Sequence, residues 1–180
     1  MLLSFFMCCI IVLPAVAADC FPASATVERE DGKRIRMDAL KVGDKIRVGL
    51  NDYSDVFMFS HQFSSSDTHT SFLELSTDSG TLRLTPGHYL YVNGNITQAG
   101  RVKLNDFLET VDSFRARVNG IWYLLDRGLF NPHTLHGDII VNGFRTTTYT
   151  DAIHPTMAHA LLAPLRALYK GYSPNVSLGF

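Results

Sequence analysis

Most of this 180-residue sequence consists of short segments in which apolar and polar residues alternate. Alternation of this kind places every second side chain on the same face of an extended strand. The first two segments, residues 25–30 and 33–37, flank Asp31-Gly32, a pair typical of a tight β-hairpin. The later segments are residues 44–50, 53–61, 71–77, 81–85, 89–94, 120–126 and 138–143. Many short strands at close spacing predict an all-β domain.

Two weaker patterns refine this fold class. Residues 40–46 ("LKVGDKI") resemble residues 102–108 ("VKLNDFL"), which is typical of a domain built from two related halves. Near the end of the chain, residues 154–170 predict one helix with Pro164 as a kink. On that helix Met157, Leu161, Leu162 and Leu165 would share one face.

The beginning of the chain indicates the compartment. Residues 2–16 form an apolar run of signal-peptide length, and small residues at Ala15, Ala17 and Ala18 offer cleavage sites before Ala18 or Asp19. Residues 1–18 are therefore predicted to be a signal peptide, and the product to be secreted. No basic residue precedes the run, so an uncleaved anchor stays the alternative. No later stretch is apolar enough to predict a stable membrane span.

Charge and histidine spacing exclude several classes of partner. The net charge of −1 and the pI near 6.6 give no electrostatic basis for binding nucleic acid or an anionic membrane. His133, His136, His154 and His159 lack the spacing of a metal site, and no motif indicates a cofactor. We therefore expect neither a metal nor a cofactor.

One cysteine follows the apolar run. Cys8 and Cys9 lie inside the predicted signal peptide, which leaves Cys20 without an intramolecular disulfide partner in the mature chain. An unpaired cysteine in an oxidising compartment indicates an intermolecular disulfide or a reactive thiol. The alternative is a buried cysteine that acts as a small apolar residue.

Three segments, taken in order, decide between these interpretations. They are "CFPASATV" at residues 20–27, "LRLTPGHYLYV" at 82–92 and "HPTMAHALLAPLR" at 154–166. Together they resemble the Hint domain of hedgehog and hedgehog-related proteins, a self-cleaving module also found in inteins. The resemblance implies a Hint fold of two pseudo-symmetric β subdomains with a short C-terminal helix. It implies an autoprocessing domain over residues 20–168 and a short tail over 169–180.

The resemblance also implies a reaction. The Cys20 thiol would attack the carbonyl of Asp19 and convert the peptide bond into a thioester, an N-to-S acyl shift. His88 would protonate the departing nitrogen, and Thr85 would polarise the scissile peptide. Without the resemblance, His88 is a turn histidine after Pro86-Gly87 and Thr85 is a hydroxyl at the end of a strand.

The sequence departs from the hedgehog pattern at three positions. His61 stands where hedgehogs have an aspartate that acts as base for the incoming alcohol, and the alternative is a solvent-exposed histidine. Thr148 replaces a second cysteine, and it either hydrogen-bonds in the site or fills space in a strand. Asp19 replaces the usual glycine before Cys20, and its carboxylate would oppose an approaching thiolate but help a thioester break down.

The expected function is therefore a single-turnover, cysteine-dependent self-cleavage. The substrate would be the chain's own N-terminal segment, and the acceptor would be water, a thiol or a sterol. Sterol transfer is disfavoured because only "YKGYSPNVSLGF" follows the region of resemblance. The rival hypothesis is a secreted Hint-fold domain that is catalytically silent and serves as an interaction module.

Overall fold

The computed structural model describes residues 19–64, 69–151 and 154–172, and they form mainly β-strands. The predicted signal peptide and residues 173–180 lie outside the described residues. The strands are β1 Thr26–Glu28, β2 Arg34–Arg36, β3 Lys45–Arg47, β4 Tyr53–Phe63, β5 His69–Thr77, β6 Gly80–Leu84, β7 His88–Val92, β8 Asn95–Gln98, β9 Phe107–Glu109, β10 Arg115–Arg127, β11 Leu129–Thr134, β12 Asp138–Val141 and β13 Phe144–Thr150.

These strands form three antiparallel sheets. The largest has eight strands in the order β12-β13-β7-β9-β10-β5-β6, with β8 paired to β7. A three-stranded sheet has the order β11-β4-β3, and β1 pairs with β2. The long strands β4 and β10 each change partner along their length, β4 from β3 to β11 and β10 from β9 to β5. The all-β prediction is confirmed.

The two halves suggested by the internal similarity are present. Each half has a β-hairpin, a 3-10 turn, a tight turn and a long strand. In the first half the Asp44 side chain accepts a hydrogen bond from Lys41 N at 2.8 Å. In the second half Asp106 accepts one from Lys103 N at the same distance. The repeated turn chemistry explains the repeated sequence, and the prediction of two pseudo-symmetric halves is confirmed.

The core lies between the sheets and draws on both halves. Phe21, Phe130 and Phe144 are the largest aromatic side chains in its cluster of buried residues. Burial of each such side chain stabilises the fold by about 1.5–3 kcal/mol relative to exposure. Because Phe21 belongs to this core, the chain immediately after Cys20 is held inside the domain.

The C-terminal segment forms two helices where one kinked helix was predicted. They are α1 Pro155–Leu161 and α2 Ala163–Tyr172, separated at Leu162 just before Pro164. The helices therefore extend past the predicted end of the domain at residue 168. Pro164 has no N–H to bond the Ala160 carbonyl, and its ring clashes with that carbonyl, which accounts for the break.

The apolar face predicted for this segment points to solvent. Met157, Leu161 and Leu165 are all exposed. The helices contact the sheets through other residues. Tyr169 donates a hydrogen bond to Asp55 at 3.2 Å and its ring lies 6.4 Å from that of Phe57. The Tyr149 hydroxyl bonds His159 Nδ1, and Pro155 is buried. Among the described residues, no helix is long and apolar enough to cross a membrane.

Candidate active site

The segment containing Cys20 is fixed against β11. Phe21 and Phe130 exchange two backbone hydrogen bonds, at 2.8 and 3.0 Å, and form an antiparallel bridge. This pairing buries the residues that precede Phe21, so Cys20 is 0% exposed and Asp19 is 7% exposed. The predicted scissile peptide is therefore held rigidly in the interior, where an attacking group can be positioned.

Thr85 contacts this peptide directly. Its Oγ1 accepts a hydrogen bond from Cys20 N at 2.8 Å, and its own N–H donates to the Cys20 carbonyl at 3.0 Å. Thr85 lies just after β6 and is itself buried. The hydroxyl is thus in position to polarise the nitrogen of the Asp19–Cys20 bond.

A tight turn brings His88 next to the same segment. His88 N donates to the Thr85 carbonyl at 3.1 Å, with Pro86 and Gly87 between them. The His88 ring packs on Phe21 with a centroid distance of 4.2 Å. The four-residue motif Thr85-Pro86-Gly87-His88 therefore places a hydroxyl next to Cys20 and an imidazole next to Phe21.

The protonation of His88 follows from its contacts. Nε2 lies 2.8 Å from the Thr147 carbonyl, which can only accept, so Nε2 carries the proton. Nδ1 is buried and has no hydrogen-bond partner among the described residues. Burial, together with the field of His133, lowers the pKa of His88 to about 4, although the bond to Thr147 opposes this. His88 is therefore a neutral imidazole whose Nδ1 can accept a proton.

Cys20 is protonated in this environment. Burial raises the pKa of its thiol to about 12, and the negative charge of Asp19 contributes in the same direction. A thiol attacks poorly compared with a thiolate, so Cys20 needs a base. Neutral His88 is suited to that role.

The Asp19 carboxyl occupies a slot formed by the turn. Gly87 N donates to Asp19 Oδ1 at 3.2 Å. A Cβ on residue 87 would lie 2.3 Å from Asp19 Oδ2, so only glycine leaves room for this carboxyl. Burial raises the pKa of Asp19 to about 6, and the nearby Asp151 acts in the same direction through a hydrogen bond and through its negative charge. Hydrogen bonds from Thr85 and Gly87 lower the pKa of Asp19 and so oppose this rise.

Two predicted site residues lie apart from these contacts. His61 is exposed in β4, opposite Asn131 of β11. Thr148 is buried in β13, and its hydroxyl donates to the Gly137 carbonyl at 3.1 Å, which ties β13 to the turn before β12. The roles assigned to His61 and Thr148 stay predictions.

A polar cluster that sequence reasoning missed lies on β4 and β11. Ser60 occupies a β-bulge, since Asn131 pairs with His61 while the next residue pairs with Phe59. Ser60 Oγ bonds Asn131 Nδ2 at 2.9 Å and His133 Nε2 at 3.1 Å. Asn131 Oδ1 and His133 Nδ1 are buried without partners among the described residues.

This cluster adjoins the scissile peptide. Asn131 follows Phe130, and in an antiparallel pair that position lies beside the residue before Phe21, which is Cys20. Burial, with a contribution from His61, lowers the pKa of His133 to about 4. Nothing in its sequence spacing distinguished His133, because its relation to Cys20 exists only in the folded chain. No group of three potential metal ligands occurs in the described part of the chain.

Comparison with known proteins identifies the family to which this fold belongs. The family profile for the Hint module matches residues 13–176. Indian hedgehog B protein of Danio rerio is 29% identical over 187 residues, covering 89% of this chain and 44% of that protein. Warthog protein 6 of Caenorhabditis elegans is 31% identical over 138 residues, covering 68% of this chain and 23% of that protein. The chain thus spans less than half of each relative.

Solved structures show the same fold. The crystal structure of gp41-1 intein superposes with a TM-score of 0.62 at 14% identity, covering 72% of this chain and 98% of the intein. The solution structure of a bacterial intein-like domain from Clostridium thermocellum gives a TM-score of 0.60 at 16% identity, covering 71% of this chain and 97% of that domain. The chain belongs to the Hint module family, as a hedgehog-related domain of the autoprocessing type.

Proposed function

We propose that this domain cleaves its own chain at the Asp19–Cys20 peptide bond through an N-to-S acyl shift. The observation that carries the proposal is the 2.8 Å hydrogen bond from Cys20 N to Thr85 Oγ1, in a buried segment that also contacts His88. A nucleophile, a neutral base and a polarising hydroxyl thereby meet at one peptide bond.

The first step forms the thioester. Cys20 Sγ gives its proton to His88 Nδ1 and attacks the Asp19 carbonyl carbon, so that a five-membered ring forms. The C–N bond then breaks, and the acyl group is left on sulfur. Because both reacting groups belong to neighbouring residues in a buried segment, the step avoids most of the entropy of bringing reactants together, an advantage of about 7–11 kcal/mol in favourable cases.

The departing nitrogen must receive a proton, because an amide anion is too basic to leave. In the scheme implied by the hedgehog resemblance, His88 supplies that proton. Thr85 holds the nitrogen through its hydroxyl throughout the step. General acid catalysis of this kind contributes about 10²–10⁴-fold to the rate.

The second step resolves the thioester with water and leaves a passenger that ends in a free carboxylate. Two histidines are candidates for the base that activates the water. His61 is the residue predicted from the resemblance. His133 is the other candidate, since it is buried, its charge acts on His88, and its Nδ1 has no partner among the described residues. We further propose that the protein reaches this step in the secretory pathway, as residues 1–18 predict.

The experiment joins a hydrophilic test passenger to the N-terminus of the 180-residue chain. We expect slow cleavage at Cys20 without added thiol and faster cleavage with dithiothreitol, which attacks the thioester. Cys20→Ala should abolish both reactions. Cleavage of Cys20→Ala at the wild-type rate would rule out the acyl shift, and an uncleaved wild-type chain would favour the silent interaction domain.

A further inference from the structure

The side chain of Asp19 is held in a slot formed by the turn before β7. Its carboxyl accepts the Gly87 N–H at 3.2 Å, and a Cβ on residue 87 would lie 2.3 Å from Oδ2. The turn is fixed from two sides, because Asp151 N donates to the Gly87 carbonyl at 3.0 Å and Gly100 N donates to the Pro86 carbonyl at 2.8 Å. The slot therefore holds a carboxyl group in one place, immediately before the bond that is proposed to break.

This carboxyl group belongs to the same residue as the reacting carbonyl. Only Cα and Cβ of Asp19 separate its carbonyl carbon from Cγ, so attack by a side-chain oxygen on that carbonyl closes a five-membered ring. The acyl shift itself closes a ring of the same size. Well-oriented intramolecular reactions reach effective molarities of about 10⁵–10⁸ M. An oxygen nucleophile is therefore available to the thioester without any group entering the site.

Burial of the same segment disfavours direct attack by bulk water. The thioester would join Asp19, which is 7% exposed, to Cys20, which is 0% exposed. Exclusion of water from a site protects reactive intermediates from hydrolysis. His61, the base implied by the resemblance, is exposed in β4. Bulk water is therefore poorly placed to compete with the side chain of Asp19.

The carboxyl group is mainly ionised near neutral pH. Burial, with a contribution from Asp151, raises the pKa of Asp19 to about 6, which is still below 7. Ionised carboxylates serve as nucleophiles in several classes of covalent catalysis. The slot thus holds the nucleophilic form of the side chain at the pH of the secretory pathway that residues 1–18 predict.

We propose that Asp19 resolves its own thioester by forming a five-membered cyclic anhydride, which water then opens. The inference rests on the acyl shift proposed above and specifies its second step. A carboxylate oxygen of Asp19 bonds to the thioester carbonyl carbon, the C–S bond breaks, and its electron pair stays on Cys20 Sγ. Water then adds to one anhydride carbonyl, whose bond to the bridging oxygen breaks. One proton of the water goes to Sγ and the other to solvent, which leaves two free carboxylates on Asp19.

The anhydride has two reactive carbonyls, and this property distinguishes it from the thioester. A nucleophile that opens the anhydride can bond to the α-carboxyl or the β-carboxyl of Asp19, whereas direct attack on the thioester modifies only the α-carboxyl. Cys20 Sγ can also return to the anhydride and re-form the thioester. Capture by the external nucleophile therefore controls the rate, and a histidine that activates water still contributes.

The experiment traps the intermediate with hydroxylamine. The full chain behind a hydrophilic test passenger is incubated near neutral pH with hydroxylamine and without thiol. The C-terminal peptide of the released passenger is then compared by chromatography and mass spectrometry with two synthetic peptides that carry a hydroxamate on the α- or the β-carboxyl of the final aspartate. We expect the β-hydroxamate to form at least about a tenth of the product, because the anhydride forms within the site. A synthetic peptide with a free C-terminal aspartate, incubated in parallel, should form neither.

Variants test the role of the side chain. Asp19→Ala cannot form an anhydride, so it should give only the α-hydroxamate and should lower the ratio of thiol-independent to thiol-induced cleavage about tenfold or more. Asp19→Glu would have to close a six-membered ring, and its ratio should lie between those of wild type and Asp19→Ala. The matched control is Asp31→Ala in the β1–β2 turn, which should leave the ratio unchanged.

The outcomes separate this inference from the acyl shift. A wild-type product that contains only the α-hydroxamate, or an unchanged cleavage ratio in Asp19→Ala, would overturn the anhydride and leave the acyl shift in place. A chain that forms neither a hydroxamate nor a dithiothreitol adduct would contradict the acyl shift, and the anhydride with it. The wild-type products decide the question even if a variant does not fold.

Discussion

The two halves of this fold repeat the same architecture, yet only one contains the residues of the proposed reaction. In the first half β1 begins at Thr26, whose N–H and hydroxyl both donate to Asn142 Oδ1 at 2.9 Å. In the second half β7 begins at His88, whose Nδ1 has no partner within the described residues. The first strand residue therefore forms hydrogen bonds through its backbone and its side chain in the first half, whereas in the second half one ring nitrogen of the equivalent residue has no hydrogen-bond partner among the described residues.

The three residues before β1 and the three residues before β7 also differ in what they contact. Ala23-Ser24-Ala25 precede β1, and Ala23 and Ala25 are buried as part of the apolar core. Thr85-Pro86-Gly87 precede β7 and hold the scissile peptide and the Asp19 carboxyl. The segments before β1 and β7 are therefore equivalent in position, and they differ because the first packs in the apolar core while the second places buried polar groups next to the Cys20 segment. Unsatisfied buried groups are unfavourable for stability and are concentrated at functional sites.

The largest expected effect tests the difference between the first residues of β1 and β7. His88→Ala should reduce thiol-induced cleavage at least 100-fold, because Cys20 loses its base. Thr26→Ala, at the equivalent position, should lower the free energy of unfolding by about 1 kcal/mol and leave the cleavage rate within twofold. Gel-based cleavage assays and urea denaturation measure the two quantities. Equal loss of cleavage in both variants would mean that His88 only supports the fold.

A second pair of variants compares two buried hydroxyls. Thr85→Val keeps the shape but removes the hydroxyl that contacts Cys20 N, and we expect the first step to slow about 10–100-fold. Thr146→Val removes a hydroxyl that donates to the Ile139 carbonyl at 3.1 Å, away from the scissile bond. It should affect unfolding but not cleavage. Comparable cleavage rates in the two variants would contradict the role given to Thr85.

The third prediction concerns the second step. His133→Ala should slow thioester hydrolysis about tenfold while thiol-induced cleavage continues, because Nδ1 of His133 is buried without a partner among the described residues and can accept a proton from water. His61→Ala should change hydrolysis less than twofold, since His61 is exposed. Cleavage with and without dithiothreitol, followed in parallel, separates the steps. The reverse ranking would assign the base to His61, as the sequence resemblance implied.

The smallest effect is on stability as a function of pH. The folded state raises the pKa of Asp19 from 3.8 to about 6, so it binds a proton that the unfolded chain releases. This contribution is fully present below pH 3.8 and is lost as the pH rises through about 6. Asp19→Asn should therefore gain about 1–2 kcal/mol in the free energy of unfolding at pH 7 relative to wild type, and less at pH 4. Urea denaturation at both pH values measures the difference, and an equal gain at both would contradict it.

The sequence predicted the strands whose side chains alternate cleanly, and it missed those whose residues are unusual for a strand. β11 contains Pro132, which normally argues against a strand, but here it follows a bulge where the ladder is already interrupted. The C-terminal helices were predicted from their apolar periodicity, yet Met157, Leu161 and Leu165 face solvent. Periodicity reveals an amphipathic helix but not what covers its apolar face.

The site divides in the same way. The resemblance named Cys20, Thr85 and His88 from short motifs, and the structure brings Thr85 against Cys20 N and His88 against Phe21. His133 was not found, since it comes near the Cys20 segment only through the pairing of β11 with that segment. No spacing in the sequence indicates such contacts.

The most direct measurement of the central claim is the intact mass of the passenger released in the presence of dithiothreitol. The acyl shift predicts a passenger that ends at Asp19 and carries one thiol in thioester linkage, together with a domain that begins at Cys20. It also predicts that the adduct converts to the free carboxylate on standing. A passenger that ends at another residue, or one that ends at Asp19 as a free acid from the first time point without any thiol adduct, would contradict the account.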